Sequence, residues 1–218
     1  NNIYAIQLSF DFSRKIPLPS ILRMPLYPLV ISFFFKIFGI SDKVILLTSF
    51  FFYIISGILL LIFLDILKIE NNIKILTLVF FMLNPIYLDL TLKGLSEPLA
   101  TSLFLLFLIF LFKKESSKNF FLSGFFLSLF VLTRYYISLL FLFPVFFLFY
   151  RNKVSIKNAT IFVIGVFLPL LPWLYRIYKI TGNPLFSFGF YILYGYGEVN
   201  TPYTTSLKID FPFIENKI

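Results

Sequence analysis

Long apolar runs alternate with short polar stretches over most of the chain, and each long run is a candidate membrane-spanning helix. A helix needs about 17–25 apolar residues to cross the hydrocarbon core, and the third to fifth runs lie near the lower end of that range. None of the runs has the alternation of a barrel strand. The pattern therefore predicts an all-α, polytopic transmembrane bundle. Its six predicted spans are about 43–67, 73–92, 97–113, 119–134, 135–151 and 156–178.

A shorter apolar run, residues 25–40, is interrupted by Lys36 and closed by Gly39. At about 1.5 Å per residue it is too short to cross roughly 30 Å of hydrocarbon. It therefore predicts an outer helix that lies in the membrane interface. Three regions follow from the whole pattern: an outer loop with the interfacial helix (1–42), the six-span bundle (43–178) and a truncated outer loop (179–218).

The composition of the chain indicates a membrane protein rather than a soluble one. The chain is 59% hydrophobic and 13% charged, whereas soluble domains average about 25% charged residues. The net charge of +9 raises the alternative of a nucleic-acid partner, but the basic residues are scattered between apolar runs, as they are in loops that flank membrane spans. We therefore expect a multi-pass integral protein of the plasma membrane or an endomembrane, in contact with membrane lipids and with no nucleic acid.

The chain contains no Cys and no His, which excludes thiolate chemistry, the usual zinc ligands and the usual proton shuttle. No cofactor is implied with certainty. A divalent cation, if one takes part, would be Mg²⁺ or Mn²⁺ held by carboxylates and water. The first residue is Asn1 and no signal-peptide pattern follows it, so we expect the chain to be a fragment.

Basic residues are unequally divided between the short loops, which predicts the orientation of the bundle. The loops at 65–74, 113–118 and 151–157 carry most of them, whereas the alternate turns carry only Lys93 and Arg134. The positive-inside rule assigns the first set of loops to the cytoplasm. The basic residues in those loops are Lys68, Lys74, Lys113, Lys114, Lys118, Arg151, Lys153 and Lys157. The other turns and both polar flanks then share the outer face.

The turn between the second and third spans concentrates charge. Asp89, Lys93 and Glu97 lie where two apolar runs meet, and we call residues 93–97 the elbow. Ionisable residues at membrane depth are costly and mark functional sites. The alternative is an ordinary wet turn in the headgroup layer, in which Glu97 only complements the dipole at the start of the next helix.

Two cations lie on the same predicted side. Arg23 precedes the proline-braced start of the interfacial helix, which also carries Tyr27. It is either a snorkelling lipid anchor or a guanidinium that grips phosphate. Arg134 lies between two spans with almost no loop. An Arg so close to membrane depth needs a partner, and we predict that it pairs with Glu97.

Taken in order, five sequence elements resemble the membrane domain of GT-C glycosyltransferases. The chain is similar to the polyprenyl-phosphate-sugar-dependent type, such as protein O-mannosyltransferases and lipid A aminoarabinose transferases. The order and spacing of the elements carry the resemblance, because none of them is diagnostic alone. They cover about residues 1–190 and read RMPLYPLVISFFFKIFG, LNPIYLDL, LSEPLATSLFLLFLIF, GFFLSLFVLTR and PWLYRIYKITGNPLF.

The resemblance implies a helical enzyme whose site faces away from the cytoplasm. It would transfer a sugar from a polyprenyl-phosphate donor to a protein, lipid or glycan acceptor. The family's catalytic acid would fall at or just before Asn1, so this chain is expected to lack the base. The family's phosphate-binding cation would correspond to Arg23, although Met24 separates Arg23 from the proline. The candidate substrate-binding residues are Arg23, Tyr27, Asp89, Lys93, Glu97 and Arg134.

Two other functions fit the same sequence. A transporter or flippase of an amphipathic or polyprenyl-linked substrate would suit the Phe-rich spans and the outer charges. An internal inverted repeat would favour transport, and none is convincing here. A non-catalytic membrane scaffold would be consistent with the absence of the base.

The predicted orientation can be tested with single cysteines, because the chain has none of its own. Ser117→Cys should react only with reagent on the cytoplasmic side, and Ser206→Cys only with reagent on the outer side, since lysine-rich loops are retained in the cytoplasm. The measurement is labelling by a membrane-impermeant maleimide in sealed vesicles of each orientation. Labelling of both cysteines from one side would refute the topology.

Overall fold

The structure, a computed structural model, describes residues 24–134 and 154–185. These residues form seven α-helices and no strand, which confirms the all-α prediction for this part of the chain. The predicted span 135–151 and the catalytic acid expected near Asn1 lie outside the described residues. The helices are α1 (Leu26–Phe38), α2 (Asp42–Ile66), α3 (Asn71–Met82), α4 (Pro85–Leu92), α5 (Glu97–Phe112), α6 (Ser117–Val131) and α7 (Ile156–Thr181).

Helix length separates clear spans from shorter helices. Among the described residues, α2 with 25 residues and α7 with 26 are long and apolar enough to cross a membrane, and α3 with α4 is a third if the bent pair is one span. The helices α5 and α6 have 16 and 15 residues, which is about 24 and 22 Å against roughly 30 Å of hydrocarbon. The prediction of a membrane protein is therefore supported, whereas the prediction of six spans is not tested by these helices.

The predicted span 73–92 is broken in the structure. The chain leaves α3 after Met82 and enters α4 at Pro85, with a bend of 49° between the two helices. Proline disfavours a helical conformation in the residue before it, and Asn84 is extended with ψ 117°. The side-chain oxygen of Asn84 then accepts a hydrogen bond from the backbone N–H of Tyr87 at 3.0 Å. The Asn-Pro pair thus ends one helix and caps the next, which corrects the prediction of one uninterrupted helix.

The described residues belong to two compact units. The larger, residues 24–171, holds the hydrophobic core; of the second, the structure describes residues 172–185. In the larger unit α5 packs against both α2 and α6. Positions four residues apart lie on one face of a helix, and α5 buries such a face. One cluster of buried core residues consists of Leu99, Ala100, Leu103, Phe107, Phe120, Leu127, Phe130 and Phe162.

Two glycines allow the backbones of α6 and α7 to touch. A Cβ atom on Gly124 would overlap the carbonyl oxygen of Phe162 and lie 3.0 Å from the backbone N of Val166. A Cβ atom on Gly165 would in turn overlap the carbonyl oxygen of Phe121. Small residues permit this kind of close approach between membrane helices, where packing replaces the hydrophobic driving force. The reciprocal contacts therefore set the distance between α6 and α7.

Gly124→Ala should lower the free energy of unfolding by about 1–3 kcal/mol, because the added methyl group meets fixed backbone of α7. Gly57→Ala is the matched control in another helix. Its Cβ would lie 2.8 Å from the Sδ atom of Met82, and a Met side chain can move aside. Unfolding by titration with a denaturing detergent measures both variants. Equal losses of stability would contradict the close approach of α6 and α7.

Candidate functional site

The elbow is a turn whose backbone carbonyls accept hydrogen bonds from other helices. The hydroxyl of Tyr27, from α1, donates to the carbonyl oxygen of Gly94 at 2.5 Å. The hydroxyl of Ser49, from α2, donates to the carbonyl oxygen of Leu95 at 3.0 Å. Gly94 has a φ of +67°, and a Cβ there would lie 2.9 Å from Ile45. Both conformation and space therefore favour glycine at position 94.

Arg134, which follows the end of α6, is joined to the first turn of α5. Its Nη2 forms an ion pair with Oε1 of Glu97, and its Nε donates a hydrogen bond to Oγ of Ser96 at 3.2 Å. The Arg134 and Glu97 side chains are only 22% and 20% exposed, so salt screens this pair less than it would a surface pair. The predicted pairing of Glu97 with Arg134 is confirmed.

The other two charges near the elbow form a separate pair. Nζ of Lys93 lies 2.6 Å from Oδ2 of Asp89, one helical turn earlier, and the two side chains are 61% and 56% exposed. An exposed pair at this spacing contributes about 0.3–0.5 kcal/mol. The wet-turn interpretation therefore suits Asp89 and Lys93, whereas Glu97 is engaged in the shielded pair with Arg134.

One backbone contact joins the start of α1 to the end of α6. The N–H of Leu26 donates to the carbonyl oxygen of Leu132 at 3.1 Å. Together with the contact from Tyr27 to the elbow and the ion pair of Arg134 with Glu97, it brings three distant parts of the chain to one end of the larger unit. We call this end, with Tyr27, the elbow and Arg134, the polar end.

Tyr27 is a neutral hydrogen-bond donor at this end. Burial raises the pKa of its hydroxyl to about 12, the hydrogen bond with Ser49 opposes the shift, and the negative charge of Glu97 adds to it. Removal of water disfavours the charged phenolate. Tyr27 therefore keeps its proton, and its hydrogen bond to the elbow, throughout the physiological pH range.

A stripe of hydroxyl groups on α2 was missed by the sequence analysis. Besides Ser49 at the elbow, Tyr53 donates to the carbonyl oxygen of Met82 at the end of α3. Ser56 and the hydroxyl of Tyr87 lie 2.8 Å apart and share a hydrogen bond. Residues 49, 53 and 56 recur at helical spacing within an apolar run, so they lie on one face of α2. That spacing was the signal that could have revealed them.

The structure brings only some of the candidate residues together. Tyr27, Glu97 and Arg134 meet at the polar end, Asp89 and Lys93 pair on an exposed surface, and Arg23 lies outside the described residues. Within residues 24–134 and 154–185, no three acidic side chains are grouped so that they could hold a metal ion. The divalent cation and the substrate-binding roles stay predictions.

No family model, curated protein or solved structure matches the chain. The membership of the GT-C superfamily therefore stays a prediction, based on the sequence elements that carry the resemblance.

The ion pair can be measured with a double-mutant cycle. Glu97→Gln alone should lower the free energy of unfolding by about 2 kcal/mol, because it leaves the shielded charge of Arg134 without its counterion. The double variant E97Q/R134Q should cost less than the sum of the two single changes, with a coupling of about 1–2 kcal/mol. Detergent-induced unfolding provides the four free energies.

The exposed pair of Asp89 and Lys93 is the control for this cycle. The D89N/K93Q cycle should give a coupling below about 0.5 kcal/mol, because water and salt screen exposed charges. A coupling at Glu97 and Arg134 no larger than this control would show that their pairing contributes nothing beyond an ordinary surface contact.

Proposed function

We propose that this chain acts as a GT-C-type membrane glycosyltransferase, which transfers a sugar from a polyprenyl-phosphate-linked donor to a protein, lipid or glycan acceptor on the extracytoplasmic face. One observation carries the proposal. Three of the elements that resemble the family, RMPLYP, LSEPLA and LTR, are far apart in the sequence and meet at the polar end. Leu26 of the first element contacts Leu132 of the third, and Arg134 contacts Ser96 and Glu97 of the second. Tyr27 contacts Gly94, which directly precedes the second element.

The proposed reaction needs a base and cations. A base takes the proton of the acceptor, and positive charge stabilises the departing phosphate. Asp89 and Glu97 each form an ion pair, so neither is assigned as the base. We assign that role to an acid outside the described residues, as the resemblance implies. Arg23 supplies the positive charge for the phosphate.

An amphipathic donor suits the surface of α1. Leu29, Phe33 and Ile37 are 61%, 60% and 57% exposed, and their spacing of four residues lays them along one face of the helix. Tyr27, in the first turn of the same helix, contacts the elbow. A polyprenyl chain that lay along this apolar face would bring its phosphate to the polar end.

Arg23→Ala should lower the affinity for undecaprenyl phosphate about 10- to 100-fold, because a charge-assisted contact to phosphate contributes about 1.5–3 kcal/mol. Arg23→Lys should lose less, since it keeps the charge but not the planar two-pronged grip. The measurement is equilibrium binding to the full-length protein in detergent, with the amount of folded protein determined in parallel.

Lys36→Ala is the matched control, because Lys36 is an exposed cation on α1 without a proposed role. The affinity of this variant for undecaprenyl phosphate should equal that of the natural protein. If Arg23→Ala also bound undecaprenyl phosphate normally, Arg23 would be only a lipid-headgroup anchor. The phosphate role would then pass to Arg134 or Lys93.

A transporter or flippase of a polyprenyl-linked substrate is the second candidate, and the break between α3 and α4 favours it. Discontinuous membrane helices recur at the binding sites of transporters. The fate of a labelled polyprenyl-phosphate sugar in reconstituted vesicles separates the two functions. A glycosyltransferase moves the label to an acceptor, whereas a flippase leaves the donor intact in the opposite leaflet.

A further inference from the structure

Four lysines gather at the end of the larger unit opposite the polar end. Lys113, Lys114 and Lys118 lie between the end of α5 and the first turn of α6, and Lys157 lies in the first turn of α7. The hydroxyl of Ser117 donates a hydrogen bond to Oδ1 of Asn158 at 3.2 Å, so the two segments meet. We call these four residues the lysine patch.

No described residue forms an ion pair with the lysine patch. All four side chains belong to exposed residues, and none forms an ion pair with another described residue. By contrast, Lys74 pairs with Asp65. Glu115 is the single acidic residue between α5 and α6. The patch therefore keeps a net positive charge that a partner can use.

Two hydrogen bonds stabilise the loop that carries Lys113 and Lys114. The side-chain amide of Asn119 donates to the carbonyl oxygen of Lys114 at 2.7 Å. Oγ of Ser116 accepts a hydrogen bond from the backbone N–H of Asn119 at 3.2 Å and so caps α6. Binding at this loop therefore costs less conformational entropy than binding at a loop that must first be ordered.

The lysine patch follows directly on apolar surface. Phe112, the last residue of α5, is 43% exposed and precedes Lys113, while Ile156 is 87% exposed and precedes Lys157. An apolar surface that ends in cations matches the boundary between acyl chains and headgroups. The predicted orientation also puts the patch in the cytoplasmic leaflet, which carries the anionic lipids.

We propose that the lysine patch binds the phosphate headgroup of an anionic phospholipid, with the acyl chains of that lipid beside the exposed ends of α5 and α7. The site is separate from the polar end and does not depend on the proposed glycosyltransferase function. The partner is a lipid rather than a free phosphate ion because the cations adjoin an apolar surface.

The test compares two double variants of the full-length protein in detergent. K114Q/K157Q removes two charges from the lysine patch, and K36Q/K43Q removes two exposed charges from α1 and the start of α2. The probes are dioleoyl phosphatidylglycerol, dioleoyl phosphatidylcholine and inorganic phosphate, and native mass spectrometry measures bound lipid. The melting temperature of each variant shows whether the fold is retained.

We expect phosphatidylglycerol to bind the natural protein more tightly than phosphatidylcholine. Its affinity should fall about 30-fold in K114Q/K157Q, since each lysine near an anionic surface contributes about 1 kcal/mol, and should stay unchanged in K36Q/K43Q. Equal binding of the two lipids, or equal losses in the two variants, would overturn the proposal. Displacement of the lipid by millimolar inorganic phosphate would also overturn it, because the site would then be one for a free anion.

Discussion

A backbone carbonyl that is freed where a helix ends inside an apolar protein needs a hydrogen-bond donor, because lipid offers none. The hydroxyl stripe of α2 meets this need at two places: Ser49 donates to Leu95 in the elbow, and Tyr53 donates to Met82 before the break in the following span. An unsatisfied carbonyl would cost about 1–3 kcal/mol at each place. The turns on either side of α4 therefore depend on side chains of α2. The position of Glu97, the last residue of the elbow, depends on them too.

Helix packing connects the polar end of the larger unit to the opposite end. The central helix α5 lies against α2 and α6, and the glycines at 124 and 165 bring α6 against α7. Because α6 is one continuous helix, its two ends are positioned together. One end contacts Asn158 and arranges the lysine patch, while the other contacts the start of α1 and presents Arg134 to α5.

The two ends use charge differently because their surroundings differ. At the polar end, Arg134 and Glu97 are mostly shielded and neutralise each other, which ties α6 to α5 in a low-dielectric setting where a lone charge would be costly. At the opposite end the lysines are exposed and unpaired with other described residues. The first arrangement stabilises a site within the protein, and the second attracts a partner from outside.

The sequence by itself determined the helical class and the membrane character, because run length and composition are local properties that a span must satisfy wherever it packs. It also indicated the partner of Arg134, since a charge near membrane depth needs one and Glu97 was on the same predicted side. The pair of Asp89 with Lys93, four residues apart, and the break at Asn84 and Pro85 are local features that the pattern of long apolar runs did not indicate. Only the tertiary structure decided that Tyr27 reaches Gly94, that Ser49 reaches Leu95 and that Leu26 meets Leu132. These contacts join residues far apart in the chain, at distances that close packing of the helices sets and local periodicity does not contain.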